Sequence, residues 1–282
     1  MMKTNKTQDF WGNNNEVYRK IIISGPPSTS VKEIVTRLND LSPLRNATEI
    51  LDNGCGTGLG MRYLIDHYEK ELPDSVRLVA SDMSGGMIQL VKEHKEKNKS
   101  NKFWRRLETG LWKVEDMSVV EDDSFSHIIA SLVMFFPPDA KHALKESYRV
   151  LRPDGVIGMS SFKGNGWWEL VDIGRKAKEG APHRKPLPEN WSSRDLIESN
   201  LKSVGFRDIK IAEIDSILEV KDVKKLAEFL VKSGNPRTAY IFEDFTDSEK
   251  KIACDLIIKH VEETKKIPAE FKSTLLVSVA KK

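Results

Sequence analysis

The stretch "EILDNGCGTGLGMRYL", Glu49 to Leu64, sets Gly54, Gly56, Gly58 and Gly60 between an apolar run and an amphipathic one. A strand-length apolar run that ends in glycines and passes straight into a helix puts backbone N–H groups and a positive helix terminus at the carboxyl edge of a sheet, where α/β proteins bind ligands. Backbone without side chains lets the ligand come close. The spacing Gly54-x-Gly56-x-Gly58 is not the dinucleotide fingerprint G-x-G-x-x-G, because Leu59 occupies its last required position. The chain also lacks G-x-x-x-x-G-K-[ST], so no triphosphate loop is indicated.

Outward from this turn the pattern repeats. The runs "ATEILD" (47 to 52), "VRLVASD" (76 to 82), "LWKVED" (111 to 116), "SHIIASL" (126 to 132) and "GVIGMSS" (155 to 161) have the length and flanks of buried strands. Helical stretches separate most of them: "GLGMRYLIDHYEKEL", "GGMIQLVKEHKEK" and "DAKHALKESYRVL". This alternation predicts a parallel sheet covered on both faces by right-handed crossovers. Ahead of it, "SVKEIVTRLNDL" opens with Ser30 and Glu33 at capping-box spacing and reads as a helix leading into the core. Past Phe162, "GWWELVDIGRKAK" and "SSRDLIESNLKSVG" read as helices, "DIKIAEI" as a strand, and "DVKKLAEFLVKS" and "DSEKKIACDLIIKHVEE" as two more helices. "STLLVSVAKK" closes the chain as an alternating strand. No repeat or clean boundary divides the 282 residues, so a single domain is expected, with the helices from 222 to 264 inserted before the final strand.

Composition narrows the partners. Hydrophobic residues make up 39%, which fits a soluble globular protein, and a net charge of +3 gives no reason to expect nucleic acid. The basic run His94 to Arg106 reads as a solvated helix end and loop. Cys55 and Cys254 stand far apart with no disulfide framework, and the polar start has no apolar signal region. No stretch approaches the length of a membrane span, and the expected location is the cytoplasm.

Two further strand ends carry chemistry. Asp82 in "LVASDMSGGMI" ends the second run, where a carboxylate can accept both ribose hydroxyls of an adenosine ligand. Asp116 in "VEDMSV" can accept from an exocyclic adenine amine, and Met117 beside it can pack on the ring.

"ILDNGCGTG", "ASDMSGGMI", "VEDM" and "ALKESYRVLRPDGVI" together resemble the successive motifs of class I S-adenosylmethionine-dependent methyltransferases, from about Ala47 to Phe162. The resemblance implies a Rossmann-like, seven-stranded, mostly parallel α/β sheet with an antiparallel last strand and a helical lid. It implies a cofactor core over about 45–165 and an acceptor-side cover over about 163–205 and 222–264 of one domain, 1–282. S-adenosylmethionine is the implied cofactor, on Tyr18, Asp52, Asn53, Gly54, Gly56, Gly58, Asp82, Met83, Asp116, Met117 and Ser131. Tyr18 lies in "FWGNNNEVYRK", similar to the N-terminal segment that folds over the cofactor's methionine end in this family. "LDN-x-CGTG", "D-x-S-x-GM", "FPPDA" and "VGFRDIKI" are also similar to forms in fungal small-molecule methyltransferases of secondary metabolism, especially the gliotoxin thiol methyltransferases.

The acceptor side reads as aromatic. Trp11, Phe135, Trp167, Trp168, Phe242 and Phe245 are the candidate substrate-binding residues, with packing as the competing role for such large side chains. Many methyltransferases acting on hydroxyls place a histidine after the fourth strand, where this chain has Met134, Phe135 and Phe136. His142 reads as an exposed helix position, His183 as a loop residue and His127 as a satisfied core or edge histidine, so no general base and no metal ligand is assigned. The expected reaction is methyl transfer to a small molecule, best matched by a thiol. The alternatives are an N- or O-acceptor, or a cofactor-binding protein of the same fold without methyl transfer. A monomer or weak dimer without membrane partner is expected.

Overall fold

The computed structural model describes residues 9–13, 23–183, 188–233 and 238–282. The apolar runs form strands β1 (Glu49–Asn53), β2 (Arg77–Asp82), β3 (Glu108–Leu111), β4 (Phe125–Ala130) and β5 (Leu151–Asn165), followed by β6 (Arg207–Val220) and β7 (Ala269–Lys281). They make one seven-stranded sheet in the order β3-β2-β1-β4-β5-β7-β6, parallel except for β7, which runs antiparallel to both neighbours. β2 and β4 flank β1 on opposite sides, so the chain's direction of travel reverses there and opens a crevice beyond the strand ends.

The helices are α1 (Phe10–Asn13), α2 (Pro26–Leu41), α3 (Leu59–Tyr68), α4 (Gly85–Lys97), α5 (Lys102–Arg106), α6 (Ala140–Val150), α7 (Trp168–Arg175), α8 (Arg194–Val204), α9 (Val223–Lys232), α10 (Ala239–Phe242) and α11 (Asp247–Thr264). Every residue of β5 from Gly155 to Phe162 is buried, which requires cover on both faces of the strand. α2 supplies it on one face. Ser30, Ile34 and Leu38 recur every four residues and so share one side of α2. At Gly158 a Cβ would come within 2.6 Å of Ile34 and 2.9 Å of Leu38, so this glycine admits the helix to the sheet. Each fully buried isoleucine or leucine contributes about 1.5–3 kcal/mol.

β5, β6 and β7 have 15, 14 and 13 residues against 5 for β1, and their surplus ends carry a second hydrophobic core. Leu218, Val220, Ala269 and Phe271 on β6 and β7 meet Trp168 of α7, Phe229 of α9, Phe242 of α10 and Ile257 of α11. Thr246 and Glu249 cap α11 reciprocally, with both arms of the capping box formed. The segment 222–264 is thus a helical insertion before β7, built on its own core.

Two expectations are corrected. α2 starts at Pro26, not Ser30, because two prolines occupy its first turn, where a missing N–H costs nothing. Ser30 is instead fully buried inside the helix, and Glu33 pairs with Arg37 at 3.1 Å. The third strand is Glu108–Leu111 rather than 111–116. Its partner β2 ends at Asp82, which is opposite Leu111, so no ladder remains for the later residues, and Trp112 folds back over Gly110.

Candidate active site

The glycine turn after β1 is held from beneath: the N–H groups of Gly54 and Cys55 both donate to the Ser81 carbonyl at 2.8 Å. Gly54 has φ +74°, and a Cβ there would lie 2.5 Å from Val133 Cγ2, so conformation and space both demand glycine. Gly56 has φ +52° but faces open space. Its N–H donates to Asp82 Oδ2 at 2.9 Å, while Ser84 N–H donates to Asp82 Oδ1 at 2.9 Å. One carboxylate therefore ties the glycine turn to the start of α4. Burial raises the pKa of Asp82 against the pull of those amides.

Asp52 is 2% exposed, and burial lifts its carboxyl to about 7. The Met61 amide works against that shift and the Asp82 charge adds to it. Among the described residues Asp52 Oδ2 has no hydrogen-bond partner, and Gly60 presses its backbone against the same carboxyl where a Cβ would collide. The β4 end is shaped by Leu132, whose φ of +53° costs an L-residue about 1–2 kcal/mol. Its N–H donates to Ser160 Oγ at 2.9 Å, which holds that turn.

These ends surround a cavity of about 470 Å³. Asp52, Gly54, Cys55, Gly56, Asp82 and Met83 line one part, Lys113, Val114 and Glu115 a second, and Ser131, Leu132, Val133, Phe136, Pro137 and Pro138 a third. Pro27 and Val31 of α2, with Ile23 and Trp11, complete the wall. Trp11 meets Phe136 edge-on at 5.5 Å. The turn carrying Trp11 docks on α4: Asp9 accepts from Gly12 N–H and Gly86 N–H, each at 2.9 Å, and Gly12 and Gly86 touch with no space for a Cβ. Burial opposes ionisation of Asp9, but hydrogen bonds from Ser84, Gly86 and Gly12 outweigh it and leave its pKa lowered.

The pattern of the methyltransferase domain family matches residues 50–155, the span that supplies the glycine turn, Asp82 and the β4 end. Residues 50–155 form a methyltransferase domain of the class I S-adenosylmethionine-dependent type. The methyltransferase ucsB of Acremonium sp is 29% identical over 223 residues, 78% of this chain and 76% of its own. Acetylaranotin bis-thiomethyltransferase of Aspergillus terreus is 25% identical over 61% of this chain and 58% of its own. A phosphoethanolamine N-methyltransferase of Haemonchus contortus, solved with S-adenosylhomocysteine, shares the fold at a TM-score of 0.51 and 16% identity, over 89% of this chain and 52% of that one.

The cavity fits the methyltransferase cofactor on its own terms. The orphaned Asp52 oxygen offers a negative partner to a cationic amino acid end, Asp82 can turn from amides to ribose hydroxyls, and Met83, Met87 and Val114 give an apolar wall for a flat base.

Of the residues expected on the cofactor, Asp52, Gly54, Gly56, Asp82, Met83 and Ser131 line the cavity. Asn53, Gly58, Met117 and Asp116 do not. Asn53 is buried behind the wall, donating to Met117 Sδ at 3.5 Å and accepting from Ser81 at 3.1 Å. Met117 is fully buried there, and Gly58 turns the chain into α3 at φ +80° against Val91. Asp116 is exposed and holds Ser118 N–H at 3.3 Å, because the turn after β3 presents Val114 and Glu115 inward instead. Tyr18 lies outside the described residues.

On the acceptor side Trp11 lines the cavity, but Phe135 is buried beneath Phe136 and Phe162, at 4.8 and 6.2 Å between rings. Trp168, Phe242 and Phe245 belong to the second core, and Trp167 packs against it. Phe136, Pro137 and Pro138 line the cavity instead; their signal in sequence was the same apolar run that displaced a histidine. Among the described residues no histidine lines the cavity. His142 is exposed on α6, His183 lies 3.3 Å from Asp172, and buried His127 is satisfied by Ser126 and the Ser42 carbonyl.

Proposed function

We propose that this methyltransferase acts on a small, largely apolar thiol, with secondary metabolism as its setting and the cytoplasm as its place. The observation that carries this is the wall itself. The β4 end and α2 present Leu132, Val133, Phe136, Pro137, Pro138, Pro27 and Val31 to the acceptor region, with no histidine among the described residues to take a proton. A thiol, with an ordinary pKa near 8.5, ionises without a strong base, whereas an aliphatic hydroxyl needs one. The likeness to the Aspergillus terreus bis-thiomethyltransferase supports the same reading. Two buried, unpaired thiols at Cys55 and Cys254 suit a reducing compartment.

Bound in the cavity, S-adenosylmethionine supplies an electrophilic sulfonium methyl. The chain's part is to align and to dry. Gly54 and Asp52 take the methionine end, Asp82 the ribose, Met83 and Val114 the adenine. Trp11 and Phe136 close the far side, exclude water and face the cation with aromatic surface. On this reading the described residues of 163–205 and 222–264 support the cover from outside the cavity wall.

The test is a matched panel of thiols, phenols and amines incubated with S-adenosylmethionine and followed by mass. Methylation of thiols, with His142→Ala and His183→Ala within about twofold of wild type, is expected. Methylation confined to phenols or amines, or a loss of about 100-fold in either histidine variant, overturns the thiol reading.

A further inference from the structure

Three hydroxyls beneath the cavity form a chain. Ser30 on α2 is fully buried, and its Oγ lies 2.7 Å from Ser131 Oγ and 2.6 Å from Ser160 Oγ. Ser160 on β5 is 2% exposed and accepts from Leu132 N–H at 2.9 Å. Ser131 directly follows β4 and lines the cavity. The geometry follows from the fold, since Ser30 stands one turn before Ile34 on the face of α2 that meets β5, and Ser160 stands two residues after Gly158 on the face that receives it.

The proton positions follow from counting. Each hydroxyl has one hydrogen to give, and a buried hydrogen left without an acceptor is costly. If Ser131 donated to Ser30 and Ser30 to Ser160, the Ser160 hydrogen would be stranded in the core. If Ser131 and Ser160 both donated to Ser30, the Ser30 hydrogen would be stranded. Only the order Ser160 to Ser30 to Ser131 satisfies every buried hydrogen. It leaves a single free hydrogen, on Ser131, which alone of the three serines lines the cavity.

We propose that Ser131 is a built-in hydrogen-bond donor to the acceptor's sulfur, stabilising the thiolate and so lowering the thiol's pKa in the site, with Ser30 and Ser160 as positioning residues. This rests on the thiol reading above. Placement selects the acceptor over the cofactor. Asp82 is on β2 and the glycine turn on β1, so a ligand laid along these ends brings its reactive end over β4, where Ser131 is tied to β5 and α2. The proton leaves the thiol for solvent before transfer, and the Ser131 O–H holds one lone pair of the sulfur while another remains for attack. The other titratable groups on the wall are Asp52 and Cys55 at the end of β1, Asp82 at the end of β2, and Lys113 and Glu115 after β3. α2, β4 and β5 contribute none to the wall, so Ser131 is their one polar side chain facing the sulfur.

The experiment reads ionisation without turnover. Thiophenol is bound to the complex with S-adenosylhomocysteine, and its thiolate absorbance is titrated against pH in wild type, Ser131→Ala, Ser131→Thr and Ser30→Ala. In Ser131→Ala the bound thiol's pKa is expected to rise by about one unit, which is about tenfold less thiolate below it. Threonine should restore it, and Ser30→Ala should give a smaller rise by freeing the Ser131 hydroxyl to rotate. S-adenosylhomocysteine affinity should change less than about twofold. Equal thiol pKa values in wild type and Ser131→Ala overturn the assignment. Weaker S-adenosylhomocysteine binding with an unchanged thiol pKa also overturns it, by giving the hydroxyl to the cofactor. A wild type that neither binds nor methylates any thiol overturns the thiol reading itself, and this assignment with it.

Discussion

Replacing Asp52 by Asn tests the electrostatics of the cavity most directly. The side chain keeps its shape but can no longer ionise. Burial lifts the native carboxyl from 3.8 to about 7, roughly three units, and each unit is worth about 1.4 kcal/mol. The native state therefore holds a proton that the unfolded chain has released, and stability falls as pH rises from about 4 to about 7. The stabilisation is complete below pH 3.8 and lost above about 7, for a total on the order of 4 kcal/mol from this group. Burial shifts Asp82 in the same direction. Urea unfolding of the free protein at several pH values between 4 and 8 should show this decline in wild type and a flatter curve for Asp52→Asn. The two should converge at the acid end. A cationic ligand facing Asp52 Oδ2 reverses the preference, because it favours the ionised carboxyl. S-adenosylhomocysteine should then bind wild type more tightly as pH rises toward 7, by up to about tenfold per unit, with release of a proton, while Asp52→Asn should bind weakly and without that slope. Parallel stability curves for the two proteins, or a binding constant flat in pH, would refute the reasoning.

Asp82→Ala removes the bridge from Gly56 to Ser84 and the proposed ribose acceptor, and calorimetry should show S-adenosylhomocysteine binding weakened by about 1.5–3 kcal/mol or more. The glycines should separate: Gly54→Ala forces a collision with Val133 and should lower the melting temperature, whereas Gly56→Val should fold with only the strain of its positive φ and fail to bind the cofactor. Phe242→Ala should cost about 3–5 kcal/mol in urea unfolding while leaving S-adenosylhomocysteine affinity within about twofold, since the ring lies in the second core and off the cavity wall.

Much of this architecture could be read from residues alone, for identifiable reasons. Buried parallel strands appear as short apolar runs, and the glycine turn and Asp82 mark their ends, so the sheet and its ligand edge were legible. The final strand's direction came with the family resemblance. What failed were inferences from a residue's type to its neighbour. Ser30 has the spacing of a cap, yet Pro26 and Pro27 start the helix earlier and turn it into an interior hydroxyl. Asp116 looks like a ligand residue, but a strand that ends at Leu111 points Val114 and Glu115 inward. The aromatics Trp168, Phe242 and Phe245 announce burial without saying against what, and only the excess length of β5, β6 and β7 assigns them to a separate core.

That separation bears on how such a chain can change over generations. The glycine turn, Asp82 and the serine chain rest on one packed cluster, while α7 and the helices from Val223 to Thr264 rest on another. Substitutions with no shared neighbours add with little interaction. Trp168, Phe242 or Ile257 can therefore drift, and the helices around them be resized, while the glycine turn that lines the cavity keeps its fit. A lineage built this way can rework its outer helices while the half that lines the cavity, for methyl donor and acceptor alike, is inherited unaltered.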